Sequence, residues 1–147
     1  MLQTKEDKGD TAMKHPFTSD KVAQVYAGFP TVERQLALAL RDLFFDVAEA
    51  TPEVGQLEET LKWGQPSYLT PETKSGSTLR IGLAKGGGAA IFAHCGTDII
   101  NTYAASFADM DQIEGNSAVI FKRADDIVPA RLRIMEHHGL TYHARKA

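Results

Sequence analysis

The chain has 147 residues, of which 43% are hydrophobic and 24% are charged, and its formal net charge is -3. This length fits one domain with a substantial core, and the scattered basic residues exclude a broad nucleic-acid-binding surface, where Lys and Arg cluster. The single cysteine, Cys95, excludes an internal disulfide and a multi-cysteine zinc site.

The N-terminal residues 1–16 are polar and lack hydrophobic periodicity. We interpret them as a mobile tail that precedes a single domain over residues 17–147. They contain no apolar stretch of the kind that a secretory signal requires. No window of the sequence approaches the roughly 18 apolar residues of a membrane-spanning helix. We therefore expect a cytoplasmic protein without membrane or nucleic-acid partners.

Two helices are predicted after the tail. The first is short and ends at Pro30, and its apolar stripe consists of Val22, Val25, Tyr26 and Phe29. The second is predicted over residues 31–50, because apolar residues recur there at steps of three and four, namely Val32, Leu36, Leu40, Leu43 and Val47. Pro52 disfavours helical geometry at Thr51, so we expect the second helix to end there.

The remainder of the chain alternates between strand and helix patterns. Strands are predicted at about 58–63, 78–84, 89–94 and 118–123, and a helix is predicted over 98–109. Gly86–Gly88 lack the sequence of a phosphate-binding loop, so we interpret them as a hairpin turn. A last helix is predicted from Asp125 or Asp126 to Gly139. This order predicts an α+β fold, in which helices cover an antiparallel sheet of about four to five strands.

The segment Lys62–Tyr68, with the sequence KWGQPSY, contains the only tryptophan of the chain. Gly64 and Pro66 are expected to end the preceding strand and to bend the chain. Aromatic residues on both sides of a rigid corner are typical of a core anchor, and they also suit the wall of a ligand pocket. For the pocket, the candidate ligand-binding residues are Lys62, Trp63, Gln65, Pro66 and Tyr68.

Three carboxylates share one face of the second predicted helix. Asp42, Asp46 and Glu49 lie at steps of four and three residues. Carboxylate oxygens are ligands for hard cations, so Fe²⁺ or Mn²⁺ could bind weakly on this face. The alternative interpretation is an ordinary solvated helix face.

His94 and Cys95 are neighbours at the end of a predicted strand, where adjacent side chains point to opposite faces. We therefore interpret Cys95 as a buried, inert thiol rather than as part of a thiolate–imidazole pair. We interpret the histidines near the C-terminus as a solvated helix end, namely His137, His138 and His143.

The Lys62–Tyr68 segment resembles the signature of the YdhG-like family, a family of domains of unknown function. Other stretches resemble the same family: Phe29-Pro30 with Arg34 and Leu40-Arg41, Ile91-Phe92, and Ile113-Glu114-Gly115 before Val119–Phe121. The resemblance covers about residues 18–140 and implies a YdhG-like α+β domain of unknown activity. Part of the family is described as frataxin-like intracellular iron chaperones. That function would use exposed carboxylates, for which Asp42, Asp46 and Glu49 are the matching feature.

These observations predict a non-catalytic binding domain with a pocket for a small molecule or a protein beside the Trp-Gly-Gln-Pro-Ser-Tyr corner. The alternative is frataxin-like iron binding, and an enzyme that uses Cys95 or a histidine is the third interpretation. We expect no cofactor, apart from iron under the alternative. A monomer and a homodimer both fit the sequence.

Overall fold

The computed structural model describes residues 14–144, and in this range helices pack on a six-stranded antiparallel sheet. Its α-helices are α1 (Asp20–Ala27), α2 (Thr31–Ala50), α3 (Ile99–Ser106) and α4 (Pro129–Leu140). Single 3₁₀ turns occur at Pro52–Val54 and Ala124–Asp126. The strands are β1 (Glu58–Lys62), β2 (Gln65–Leu69), β3 (Leu79–Leu83), β4 (Ala89–Ala93), β5 (Gln112–Glu114) and β6 (Ala118–Phe121). None of the helices in this range has the length and apolar character needed to span a membrane.

The two faces of the sheet carry different residues, because successive side chains of a strand point in opposite directions. The strands lie in the order β1-β2-β3-β4-β6-β5, and every neighbouring pair is antiparallel. The face that packs with the helices, called here the covered face, includes Tyr68, Leu79, Ile81, Ile91 and Phe121. The opposite face, called here the open face, includes Lys62, Gln65, Arg80, Phe92 and Ile120. The predicted α+β class is confirmed.

The strand count is six rather than the predicted four to five, because the prediction missed β2 and β5. Gly64 and Pro66 do not end the sheet as expected. Trp63 and Gly64 have φ angles of 51° and 76° and form a two-residue turn, after which β2 runs back along β1. Pro66 is tolerated within β2 because the pairing of β2 with β3 begins only at Ser67.

The long helix α2 has the predicted bounds, and the last helix does not. α4 begins at Pro129, since Asp125 and Asp126 belong to the separate 3₁₀ turn, and it continues to Leu140. Gly139 was expected to end this helix and instead lies inside its last turn. A Cβ atom at Gly139 would come within 2.7 Å of Leu79 Cδ1, so this glycine allows α4 to approach β3 closely.

The segment before α1 contacts the long helix α2. Most of the predicted mobile tail, residues 1–13, lies outside the described residues. His15, however, stacks on Phe45 of α2 with ring centroids 5.0 Å apart, and its carbonyl oxygen accepts a hydrogen bond of 2.5 Å from Arg41 Nη1. His15, which the prediction assigned to the tail, therefore contacts α2.

Candidate functional site

Tyr68 is a core residue that belongs to a buried chain of polar side chains. Its hydroxyl lies 2.5 Å from the Tyr26 hydroxyl and donates to Glu59 Oε2 at 2.7 Å. Arg41 Nε and Nη2 donate to the same carboxylate at 2.5 and 3.0 Å. Because the proton of Tyr68 goes to Glu59, Tyr26 is the donor to Tyr68. Burial raises the pKa of the Tyr68 phenol well above its usual value, which keeps it a neutral donor.

Trp63 lies at the tip of the β1–β2 hairpin, and 91% of its surface is exposed. Two-residue hairpin turns with positive φ angles favour Asn-Gly, and bulky residues are rare in the left-handed region. Placing tryptophan there costs roughly 1–2 kcal/mol of backbone strain. The side chain therefore contributes little to the core, and its position is unfavourable for the backbone.

Trp63 borders a pocket of about 280 Å³, whose lining residues are Lys62, Trp63, Thr78, Arg80 and His94. Lys62 ends β1, Arg80 lies on β3, and His94 directly follows β4, so several strands contribute to one pocket. Arg80 Nη1 donates to Gln65 Oε1 at 2.7 Å, and its guanidinium lies 5.5 Å from the centroid of the Phe92 ring. Gln65 and Phe92 thus hold Arg80 in place on the open face.

The five residues predicted to form a ligand pocket do not lie together. Lys62 and Trp63 line the pocket. Gln65 does not line it, but it accepts a hydrogen bond from Arg80, which does. Pro66 and Tyr68 are buried on the covered face, so they do not border it. Arg80 was missed, although it alternates with the buried residues Leu79 and Ile81 and so could have been assigned to the opposite face. Thr78 and His94 were missed as well, although both lie inside the predicted strands 78–84 and 89–94 and alternate in step with Arg80 and Phe92.

Two carboxylates of α2 lie close to a histidine of the segment predicted to be a tail. His15 Nε2 lies 3.1 Å from Asp46 Oδ1, and His15 Nδ1 lies 3.5 Å from Glu49 Oε2. Within residues 14–144, this is the one group of His, Cys, Asp or Glu side chains with spacing suited to a metal ion, and its ligand atoms lie within 4.8 Å of one another. Asp42, predicted as the third ligand, does not belong to it.

Asp46 already has a cationic partner. Lys14 Nζ lies 2.9 Å from Asp46 Oδ1. Partial burial works to raise the pKa of Asp46, but the hydrogen bonds from Lys14 and His15 outweigh it and hold that pKa below its usual value. A metal ion at this cluster would therefore compete with Lys14.

Cys95 is exposed, which contradicts the prediction of a buried thiol. Cys95 and Gly96 form a turn, one residue after the end of β4. His94 Nδ1 accepts a hydrogen bond of 2.9 Å from the backbone N–H of Gly96. Nearer the C-terminus, His138 Nε2 lies 3.3 Å from Asp98 Oδ1, a contact between α4 and the start of α3.

Glu136 lies on the buried face of α4, beside Met135 and Leu132, and is completely shielded from solvent. Among the described residues, neither of its carboxylate oxygens has a hydrogen-bond partner. Burial raises the pKa of Glu136 well above its usual value; Arg133 works against this rise, and Asp46 adds to it. The sequence pattern does not distinguish Glu136 from a solvent-facing residue, because a charged residue in a helix is usually exposed.

Comparisons of the chain with protein-family models, with curated proteins and with solved structures find no match.

Proposed function

We propose that this protein is a non-catalytic, cytoplasmic binding domain that holds a small molecule in the pocket beside the Trp63–Gly64 turn. The observation that carries this proposal is an exposed tryptophan in a left-handed turn next to a pocket. Backbone strain of this kind is concentrated at ligand-binding and other functional sites. Stacking of a ligand on the indole would provide a favourable interaction that Trp63 does not make within the folded chain.

Because Trp63 is the only tryptophan, its fluorescence reports directly on the pocket. We would titrate the protein with three probes of similar size, namely benzyl alcohol, benzoate and benzylammonium. We expect a saturable change in emission with at least one probe, at millimolar affinity, as is usual for fragments of this size.

Calorimetry with the best probe would then compare two variants. Trp63→Asn keeps a turn-forming residue, and we expect it to weaken binding about tenfold, a loss of about 1.4 kcal/mol. Met110→Asn is the control, since Met110 is an exposed hydrophobic residue outside the pocket. Absence of a saturable change with these three probes and with phenyl phosphate, or equal binding by Trp63→Asn, would refute the proposal.

A second candidate function is iron(II) binding as cargo by His15, Asp46 and Glu49. The observation that favours it is the convergence of one imidazole and two carboxylates within 4.8 Å, a donor set that suits Fe²⁺. The resemblance to the YdhG-like family that we inferred from the sequence implies the same function, through exposed carboxylates that include Asp46 and Glu49.

Anaerobic Fe²⁺ titrations of three variants test this second function. We expect Asp46→Asn to lose binding at least about tenfold and Lys14→Gln to gain affinity, because Lys14 Nζ occupies Asp46 Oδ1. Asp42→Asn is the matched control on the same helix and should bind like the parent. If Asp42→Asn and Asp46→Asn lose equal affinity, the acidic helix face binds iron and the cluster with His15 does not.

A further inference from the structure

We propose that the ligand of the Trp63 pocket is a small aromatic anion, whose carboxylate or phosphate group is bound by Lys62, Arg80 and His94 while its ring lies against Trp63. This inference rests on the proposed function of the pocket and specifies the chemical class of its ligand.

The charge of the pocket favours an anionic ligand. The pocket is lined by Lys62 and Arg80, and none of its five described lining residues is acidic. The chain as a whole has a net charge of -3, so this local excess of basic groups runs against its overall composition. Each lining side chain carries an N–H or O–H donor. Such a site is complementary to a ligand that is rich in hydrogen-bond acceptors and negatively charged.

Arg80 is held in a fixed position at the pocket. One guanidinium nitrogen is bonded to Gln65, and the group is held near the ring of Phe92. These contacts leave other N–H groups of the planar guanidinium for a ligand, and that geometry matches carboxylate and phosphate oxygens. A cation that is already positioned loses less conformational entropy on binding than a free side chain does.

The ring of His94 can donate a hydrogen bond to the ligand. Because Nδ1 accepts the backbone N–H of Gly96 at 2.9 Å, the neutral ring carries its proton on Nε2. His94 therefore offers a donor at Nε2 without having to be charged. Together with Lys62 and Arg80, it adds a further donor to the same pocket.

The size of the pocket limits the ligand. Its volume of about 280 Å³ lies at the lower end of small-molecule sites. One aromatic ring with one anionic group fits this volume, and the indole of Trp63 provides an aromatic surface for the ring. A nucleic-acid strand would need an extended basic groove, which the scattered Lys and Arg residues of this chain do not provide.

The test compares four ligands by Trp63 fluorescence and calorimetry: benzoate, phenyl phosphate, neutral benzyl alcohol and inorganic phosphate. We expect at least one aromatic anion to bind about tenfold more tightly than benzyl alcohol and than inorganic phosphate. Comparison of benzoate with phenyl phosphate then identifies the preferred anionic group. Added salt should weaken anion binding and leave benzyl alcohol unaffected.

Two variants test which basic side chains bind the anionic group of the ligand. We expect Arg80→Gln and Lys62→Gln each to weaken binding of the preferred anion about tenfold and to leave benzyl alcohol binding unchanged. Lys62 is exposed at the end of β1, so Lys62→Gln remains informative if Arg80→Gln fails to fold. Lys21→Gln, an exposed lysine of α1, is the charge-matched control.

The outcomes separate this inference from the proposed function. If benzyl alcohol binds as tightly as the aromatic anions, the pocket binds small molecules as proposed, but its selectivity for anions is refuted. Equal binding by inorganic phosphate and phenyl phosphate would refute the role of the ring. A single-stranded oligonucleotide that binds more tightly than phenyl phosphate would overturn the small-molecule class. If no probe binds, both the inference and the proposed function fail.

Discussion

Replacing the buried Glu136 by methionine should stabilise the protein at neutral pH. Both oxygens of Glu136 are shielded from solvent and have no hydrogen-bond partner among the described residues. A buried polar group without a partner costs about 1–3 kcal/mol. Methionine has a similar volume, no polar oxygen and a comparable helix propensity. We expect the free energy of unfolding to rise by about 2 kcal/mol, which for a chain of this size raises Tm by about 4–8 °C.

The stabilisation should depend on pH, because the pKa of Glu136 is raised in the folded protein. Folding therefore favours the protonated carboxyl group of Glu136. Its contribution to the free energy of unfolding is fully present below the pKa of a glutamate in the unfolded chain, about 4.3. That contribution is lost as pH rises toward the folded pKa, at up to about 1.4 kcal/mol per pH unit. The advantage of the methionine variant should therefore be smallest below about pH 4 and should grow as pH rises.

Urea unfolding of the parent and of Glu136→Met at a series of pH values measures this difference. Glu58→Met is the control, because Glu58 lies exposed on the edge strand β1. A variant that is less stable than the parent, or a difference that does not change with pH, would refute the reasoning. The first result would mean that the carboxylate of Glu136 stabilises the folded protein, and the second that folding leaves its pKa unchanged.

Two further predictions concern stability and are checked by urea unfolding at neutral pH. Tyr68→Phe should destabilise the protein by about 2–3 kcal/mol, because Tyr26 loses its acceptor and Glu59 loses a donor; an unchanged midpoint would contradict the buried network. Trp63→Asn should stabilise it by about 1 kcal/mol, since asparagine tolerates the left-handed region. A destabilised Trp63→Asn variant would show that the indole stabilises the fold.

The sequence predicted the long helix α2 well and the turn at Trp63 poorly. The apolar stripe of α2 extends over several turns, so its periodicity determines both the class of the element and its bounds. At Trp63, local preferences point the wrong way. Gly64 and Pro66 are both strand breakers, and tryptophan is disfavoured at a positive φ angle, yet the pairing of β1 with β2 overrides these preferences.

The candidate sites depended even more on tertiary structure. Asp46 and Glu49 were recognised from helical spacing, but His15 joins them only because the segment before α1 packs on Phe45. Lys62 and Trp63 were recognised from the motif, whereas Arg80 and His94 reach the pocket through the pairing of β3 with β4. No local sequence pattern encodes these distances.

The buried ion pair of Arg41 and Glu59 also influences where the pocket lies on the open face of the sheet. β1 is an edge strand, and a slip of one residue would turn Glu59 to the open face and leave Arg41 unpaired in the core. Leaving such a buried charge without its partner costs about 3–5 kcal/mol, so the pair holds the register of β1. The same register pairs Lys62 with Gln65, so that the Trp63–Gly64 turn joins them and lies at the pocket that Arg80 also lines. An ion pair inside the core thereby sets the position of a pocket on the opposite side of the sheet.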